Sequence, residues 1–194
     1  MDAQSFDEMP ISRRLFQLAE DAEGGTVTLN WILAQLHERA FGLFLLVLAL
    51  PCCIPILYGI PQIVALPLMF VSGQILLGST SPWFPGRLGA REVSKVNLES
   101  LAARAKPWLE KVEALSRPRL GVLTRPPVDR IIGVALVLFS ASILVPLPGT
   151  NTVPGFAVVL VSMGFLQRDG ILVIAGSVLG TVWIATLIFA GATL

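Results

Sequence analysis

The sequence predicts an all-α integral membrane protein. It would have about five membrane-embedded helical segments, with Pro-broken (re-entrant or short) hairpins in two pseudo-repeated halves, plus interfacial amphipathic helices. Three observations carry this. Of 194 residues, 54% are hydrophobic and 14% charged, against about 25% charged in an ordinary soluble domain. Mean hydropathy is +0.76. The charges are also segregated: 41–78, 131–167 and 171–194 hold none, and each stretch is longer than the roughly 20 apolar residues that cross about 30 Å of hydrocarbon. Disorder is excluded, because disordered chains are polar and charged. A net charge of +1 with a pI of about 7.8 argues against a nucleic-acid partner.

Residues 1–40 form an amphipathic N-terminal region with seven acids and three bases. It is acidic and polar ahead of the first long apolar run, so no cleavable signal peptide is expected. In Pro10–Ala22 the apolar residues Ile11, Leu15, Phe16, Leu18 and Ala19 recur at helical spacing. Gly24 and Gly25 stop that helix. Thr28 or Asn30 then caps a second helix, through Trp31, Ile32, Leu36 and His37 to Arg39. Its Trp31 suits a headgroup-level position.

Residues 41–78 predict the first membrane hairpin. The arm Phe41–Leu50 is only 10 residues, about 15 Å as helix, and cannot cross alone. Pro51, Pro55, Gly59, Pro61 and Pro67 interrupt the block. It is therefore a thin hairpin or a re-entrant one, with its Pro-rich tip, Pro51 to Pro61, deep in the bilayer. The adjacent Cys52 and Cys53 lie inside it as small packing residues. They form no disulfide pair and no metal set.

Residues 79–130 form a segment with ten bases against five acids. That bias predicts a cytoplasmic location, and its bases and tryptophans suit anionic lipid headgroups. Helices are expected over Val93–Ala105 and Trp108–Ser116, separated at Pro107-Trp108, with the second ending at Arg117-Pro-Arg119.

Residues 131–194 predict a second hairpin plus a C-terminal membrane helix. Ile131–Val145 is an apolar arm, Pro146–Pro154 a Pro/Gly/polar break, and Gly155–Leu166 a second arm. Gln167-Arg-Asp-Gly170 is a polar turn. Ile171–Leu194 is either one full span or folds back around Gly176 and Gly180. An offset of 93 residues pairs Pro55 with Pro148, Pro61 with Pro154 and Gln74 with Gln167, and sets Leu43 and Leu45 on Leu136 and Leu138. Broken helices in equivalent positions of two halves point to a transporter-like site.

Little here builds an enzyme. His37 is the one histidine, so no Ser-His-Asp or Cys-His set and no metal-binding His pair can be assembled. No catalytic residue, metal or cofactor is expected. The two breaks are the better candidates, because irregular backbone at membrane depth must be buried in protein or line a watery cavity. Thr150, Asn151 and Thr152, with Pro154, mark one break and Tyr58 and Gln62 the other. They form either a mid-membrane pocket for a polar or phosphate headgroup, or a tight turn in which Asn151 acts as a cap. Arg168 and Asp169 form a plain surface turn, an anchor that pairs with residues near Glu38-Arg39, or, if the turn lies within the bilayer, a substrate-binding site with Glu38 and Arg39.

Several short motifs occur in order. They are Glu38-Arg-Ala-Phe-Gly42, Leu48-Ala-Leu-Pro51, Ala65-Leu-Pro-Leu68, Gln74-Ile-Leu-Leu-Gly78, Pro82-Trp-Phe-Pro85, Pro107-Trp108, Arg117-Pro-Arg119, Pro146-Leu-Pro-Gly-Thr-Asn151 with Pro154, and Gln167-Arg-Asp-Gly170. In these the chain resembles the bacterial exopolysaccharide synthesis ExoD family, from about residue 10 to the C-terminus. It departs at Cys52, where the family pattern has a polar residue such as Asn. The resemblance implies a multi-spanning inner-membrane protein associated with exopolysaccharide production, and supplies no catalytic residues. Expected partners are membrane lipids with an anionic or lipid-linked headgroup, polysaccharide biosynthesis proteins and a second copy of the chain, packed through small residues such as Gly176, Gly180 and Ala185. The rival readings are a scaffold for polysaccharide synthases and a membrane enzyme acting on a polyprenyl lipid.

Overall fold

The computed structural model describes residues 9–21, 25–55, 59–116, 119–124, 127–145 and 150–192, with the side chains of Leu88 and Leu115 left aside. Tyr58, Pro146–Gly149 and Arg117-Pro118, all named above, lie outside the described residues.

The chain runs α1 (Ile11–Glu20), β1 (Thr26–Thr28), α2 (Leu29–Leu36), α3 (Glu38–Ala49), a 3-10 turn (Leu50–Cys53), α4 (Ile60–Leu76), the one-turn α5 (Gly86–Gly89), β2 (Glu92–Ser94), α6 (Lys95–Leu115), a second 3-10 turn (Gly121–Thr124), α7 (Val128–Ile143), α8 (Thr152–Gln167) and α9 (Gly170–Ala192). Among the described residues, the chain is all-helical but for one short strand pair. β1 and β2 pair antiparallel, Thr26 opposite Ser94 and Thr28 opposite Glu92. Each strand then hands its last residue to a helix as a cap. Thr28 Oγ1 accepts from the Trp31 N–H at 3.3 Å, and Ser94 Oγ from the Asn97 N–H at 3.3 Å.

Two of the expected helix limits shift. The second helix does not reach Arg39: it ends at Leu36, and His37 (φ 50°) turns the chain by 113° into α3. Pro107 does not divide the 79–130 segment, because α6 runs unbroken from Lys95 to Leu115. Pro67 is likewise inside α4. Both prolines are exposed, so the carbonyl each one leaves without its helical partner lies on the outer face rather than in the core.

Close backbone contacts fix the helix directions. Gly42, near the start of α3, lies against Leu166, near the end of α8; Gly155, near the start of α8, lies against Cys52, just past the end of α3. α3 and α8 are therefore antiparallel. Gly133, near the start of α7, lies against Ile75 and Leu76 at the end of α4. Gly176 of α9 lies against Ala157 and Val161 of α8, and Gly180 against Phe139 of α7. Gly176 and Gly180 thus pack inside this chain and are not left for a second copy. α9 is one continuous helix and does not fold back.

α3 also packs on α4, and α7 on α8. The starts of α3, α7 and α9 and the ends of α4 and α8 consequently share one end of the bundle, the polar end; the two breaks share the other. A core of Phe41, Leu45, Ala65, Leu68, Leu136, Phe139, Val158 and Phe165, with their neighbours, fills the bundle. A second core joins α1, α2 and α6 through Ile11, Leu15, Leu33, Leu36, Leu98 and Leu109, and reaches the bundle through Ala40 and Leu166.

The helix lengths bear on how the expected membrane-embedded segments sit. Among the described residues one helix, α9 at 23 residues, is long and apolar enough to cross a membrane; it reaches about 35 Å. The bent pair α2 and α3 meets the test only if taken together. α4 has 17 residues and α7 and α8 have 16 each, or about 24–26 Å.

Candidate functional site

At the broken end, the 3-10 turn Leu50–Cys53 packs against both α4 and α8. Cys52 is fully buried. A Cβ on Gly155 would stand 3.0 Å from the Cys52 carbonyl carbon and Cβ, so the two backbones touch where the two breaks meet. This explains why a small apolar side chain suits position 52: it is packing, not polar lining. Pro154 is buried beside it in the chain.

Three polar atoms at the starts of α4 and α8 are buried with no hydrogen-bond partner: Gln62 Oε1, Asn151 Oδ1 at the N-cap of α8, and Thr152 Oγ1. Asn151 stands at the N-cap position of α8, yet its side chain makes no cap bond, which corrects the capping reading. Thr150 is half-buried and has an interaction of its own. A buried acceptor left unpaired costs about 1–3 kcal/mol. Tyr58 lies outside the described residues.

The polar end collects the other expected residues. Arg168 ends α8 in the left-handed conformation (φ 55°), and its Nη2 lies 3.8 Å from Glu38 Oε2. Asp169 is 1% exposed. Its Oδ1 accepts from the Ile171 N–H at 3.0 Å, capping α9, and its Oδ2 accepts from Ser116 Oγ at 3.4 Å and faces Arg119 Nη2 at 3.7 Å. The Gly170 N–H donates to the Arg119 carbonyl at 2.6 Å. Arg39 is buried and donates from Nη1 to the Met9 carbonyl at 2.6 Å. Arg168-Asp169 is therefore no plain surface turn. It is the anchor that joins α8 and α9 to α3 and to the strand-like link after α6. Paired charges of this kind hold helices together.

Sequence reasoning missed two ties. Arg14 donates to the Gln35 carbonyl at 2.6 Å, and Glu113 accepts from both the N–H and Oγ of Ser12, at 2.9 and 3.0 Å, so α6 caps the start of α1. Neither has a local sequence signal, since the partners lie 21 and 101 residues apart. Between α1 and α6 runs a groove of about 670 Å³ edged by Arg13, Glu20, Lys106 and Glu110. Its mixed charge selects no one ligand. Among the described residues no group of His, Cys, Asp and Glu is arranged to hold a metal ion.

The molecule is thus a helical bundle with a charge-locked end and a broken end. Comparison with known proteins places it further. The chain belongs to the exopolysaccharide synthesis ExoD family, whose model matches residues 11–189. It is 30% identical to protein ExoD of Rhizobium meliloti (strain 1021) over 171 residues, 86% of this chain and 71% of that protein. It is 27% identical to the uncharacterized protein slr1875 of Synechocystis sp. over 161 residues, 82% of this chain and 76% of that one. No solved structure matches the chain. Membership ties the chain to exopolysaccharide synthesis.

Proposed function

We propose that this chain is a non-enzymatic, multi-pass protein of the bacterial inner membrane that supports exopolysaccharide synthesis or export by binding, and helping to move, a lipid-linked or anionic headgroup at its paired breaks. The observation that carries this is the set of buried, unpartnered atoms of Gln62, Asn151 and Thr152 on two helices that meet at one 3-10 turn. In hydrocarbon such atoms need a partner. Half-helix N-termini at the breaks also offer backbone N–H groups to an anion.

Helix lengths support re-entry. Hairpins built from helices of about 18–26 Å enter and leave on one side without spanning about 30 Å. The ten bases of 79–130 favour the cytoplasmic side for the polar end.

The test uses the full chain in membranes, with Cys52→Ala and Cys53→Ala as background and single cysteines at Gln62 and Asn151. Both positions should react with a membrane-impermeant maleimide while Leu68 and Val158, buried in the arms, should not. If neither tip reacts, the headgroup site is wrong.

A second reading, a non-transporting scaffold for polysaccharide biosynthesis proteins, is favoured by one observation. On α6, Leu101 and Trp108 are exposed, with Lys111 Nζ 5.3 Å from the Trp108 ring centroid. Co-purification with a synthase that Trp108→Ala abolishes would support it.

A further inference from the structure

The two hairpins place equivalent residues in unequal surroundings, and the inequality marks a second site. An offset of 91 residues sets Glu38, Gly42, Leu45 and Ala49 on Asp129, Gly133, Leu136 and Ser140. The offset of 93 would instead set buried Leu45 on exposed Leu138. In the second arms the offset of 93 sets Pro61, Ala65, Leu68 and Ser72 on Pro154, Val158, Val161 and Phe165, and all eight are buried. Each hairpin's first helix packs on the other hairpin's second helix: α3 on α8 and α7 on α4. Gly42 and Gly133 make the close approach in each case.

On the α3 side the acid at this position is neutralised. Glu38 faces Arg168, the C-cap residue of α8. On the α7 side, Asp129 stands one turn before Gly133 on the same buried face, at the end of α4. The C-cap residue of α4 is Leu77, which is 81% exposed. Asp129 is only 4% exposed, and its Oδ1 has no hydrogen-bond partner. The positive end of the α7 dipole attracts it, but a dipole does not replace the hydrogen bonds that a buried carboxylate gives up. The carbonyl end of α4 beside it also favours a cation. Arg130, the next residue, is exposed, and its guanidinium lies over Gly78.

We propose that Asp129 binds a primary ammonium group, taking the place that the Arg168 guanidinium has beside Glu38, and that Arg130 takes the phosphate of the same headgroup. The site is at the polar end, away from the breaks, and does not depend on the headgroup reading given for them.

The test follows thermal unfolding of the full chain in detergent micelles while phosphatidylethanolamine, phosphatidylcholine or soluble ethanolamine is titrated in. Phosphatidylethanolamine should stabilise the protein. Phosphatidylcholine, whose nitrogen carries no N–H, should not. A response to ethanolamine alone identifies a free amine as the source; a response only to the lipid identifies the headgroup. Asp129→Asn should weaken the response about tenfold or more. Should Asp129→Asn not fold, Leu77→Arg decides: it supplies the missing base, so it should raise the melting temperature without ligand and abolish the response. Equal effects of the two lipids, or an undiminished response in Leu77→Arg, would overturn the proposal. Labelling at Gln62 and Asn151 reports separately on the breaks.

Discussion

Gly42 and Leu166 are in backbone contact across the seam of α3 and α8: a Cβ at position 42 would stand 2.5 Å from the Leu166 nitrogen and 2.7 Å from the Ser162 carbonyl oxygen. No side chain fits without moving one helix. Gly42→Ala should destabilise by about 1–3 kcal/mol, the range for overpacking, and Gly133→Ala by a similar amount at the matching seam with Leu76. Melting of the purified variants in detergent measures both, and an unchanged midpoint would refute the close approach.

Asp169 holds three groups at once: the Ile171 N–H, Ser116 Oγ and Arg119. Asp169→Ala should therefore cost about 3–5 kcal/mol, as when one partner of a buried charged set is removed. Lys106→Ala is the control. Its pair with Glu110 is 3.8 Å long and more than half exposed on both sides, so its loss should stay within about 0.5 kcal/mol. Equal effects would show the anchor to be ornamental.

His37 sits at φ 50°, ψ −135°, a region that favours glycine. The sharp bend between α2 and α3 is held there at a cost of order 1–3 kcal/mol. His37→Gly should raise the midpoint of unfolding by relieving about 1 kcal/mol of that, because the ring makes only a 3.2 Å contact to the Gln35 carbonyl on an exposed surface. A fall in stability would mean that the ring itself is needed.

Asn151 separates function from stability. Its side chain caps nothing, so Asn151→Ala should leave melting unchanged or raise it slightly, while exopolysaccharide output of complemented cells falls. Thr28→Ala and Ser94→Ala remove real cap bonds and should cost about 1 kcal/mol each with no specific effect on output. If Asn151→Ala keeps full output, the residue is a spacer.

Much of this architecture was legible because local chemistry dictates it. The uncharged blocks, the apolar spacing of Ile11, Leu15 and Leu18 and the Thr28 cap are short-range signals, and each leads to the element that forms. The Arg168–Glu38 tie was open to inference because a charged pair between apolar segments needs a partner. What escaped depends on the third dimension. Pro107 carries the signal of a helix end, yet its exposed setting lets α6 continue. The strand pair Thr26–Thr28 and Glu92–Ser94 joins segments more than sixty residues apart. At the broken end, Asn151 and Gln62 stood out as polar residues beside prolines, but the contact of Cys52 with Gly155 had no signal in the chain.

The pairing of α3 with α8 also sets a timetable for synthesis. Leu166 follows Gly42 by 124 residues, so at roughly 5–20 residues per second the ribosome delivers it about 6 to 25 s later. During that interval the face formed by Gly42, Leu45 and Ala49 lacks its final partner, and α4 waits in the same way for α7. Neither hairpin can close its own seam first. Nascent chains released before α8 should therefore be protease-sensitive, and an insertase or chaperone that shelters the first hairpin would act within those seconds.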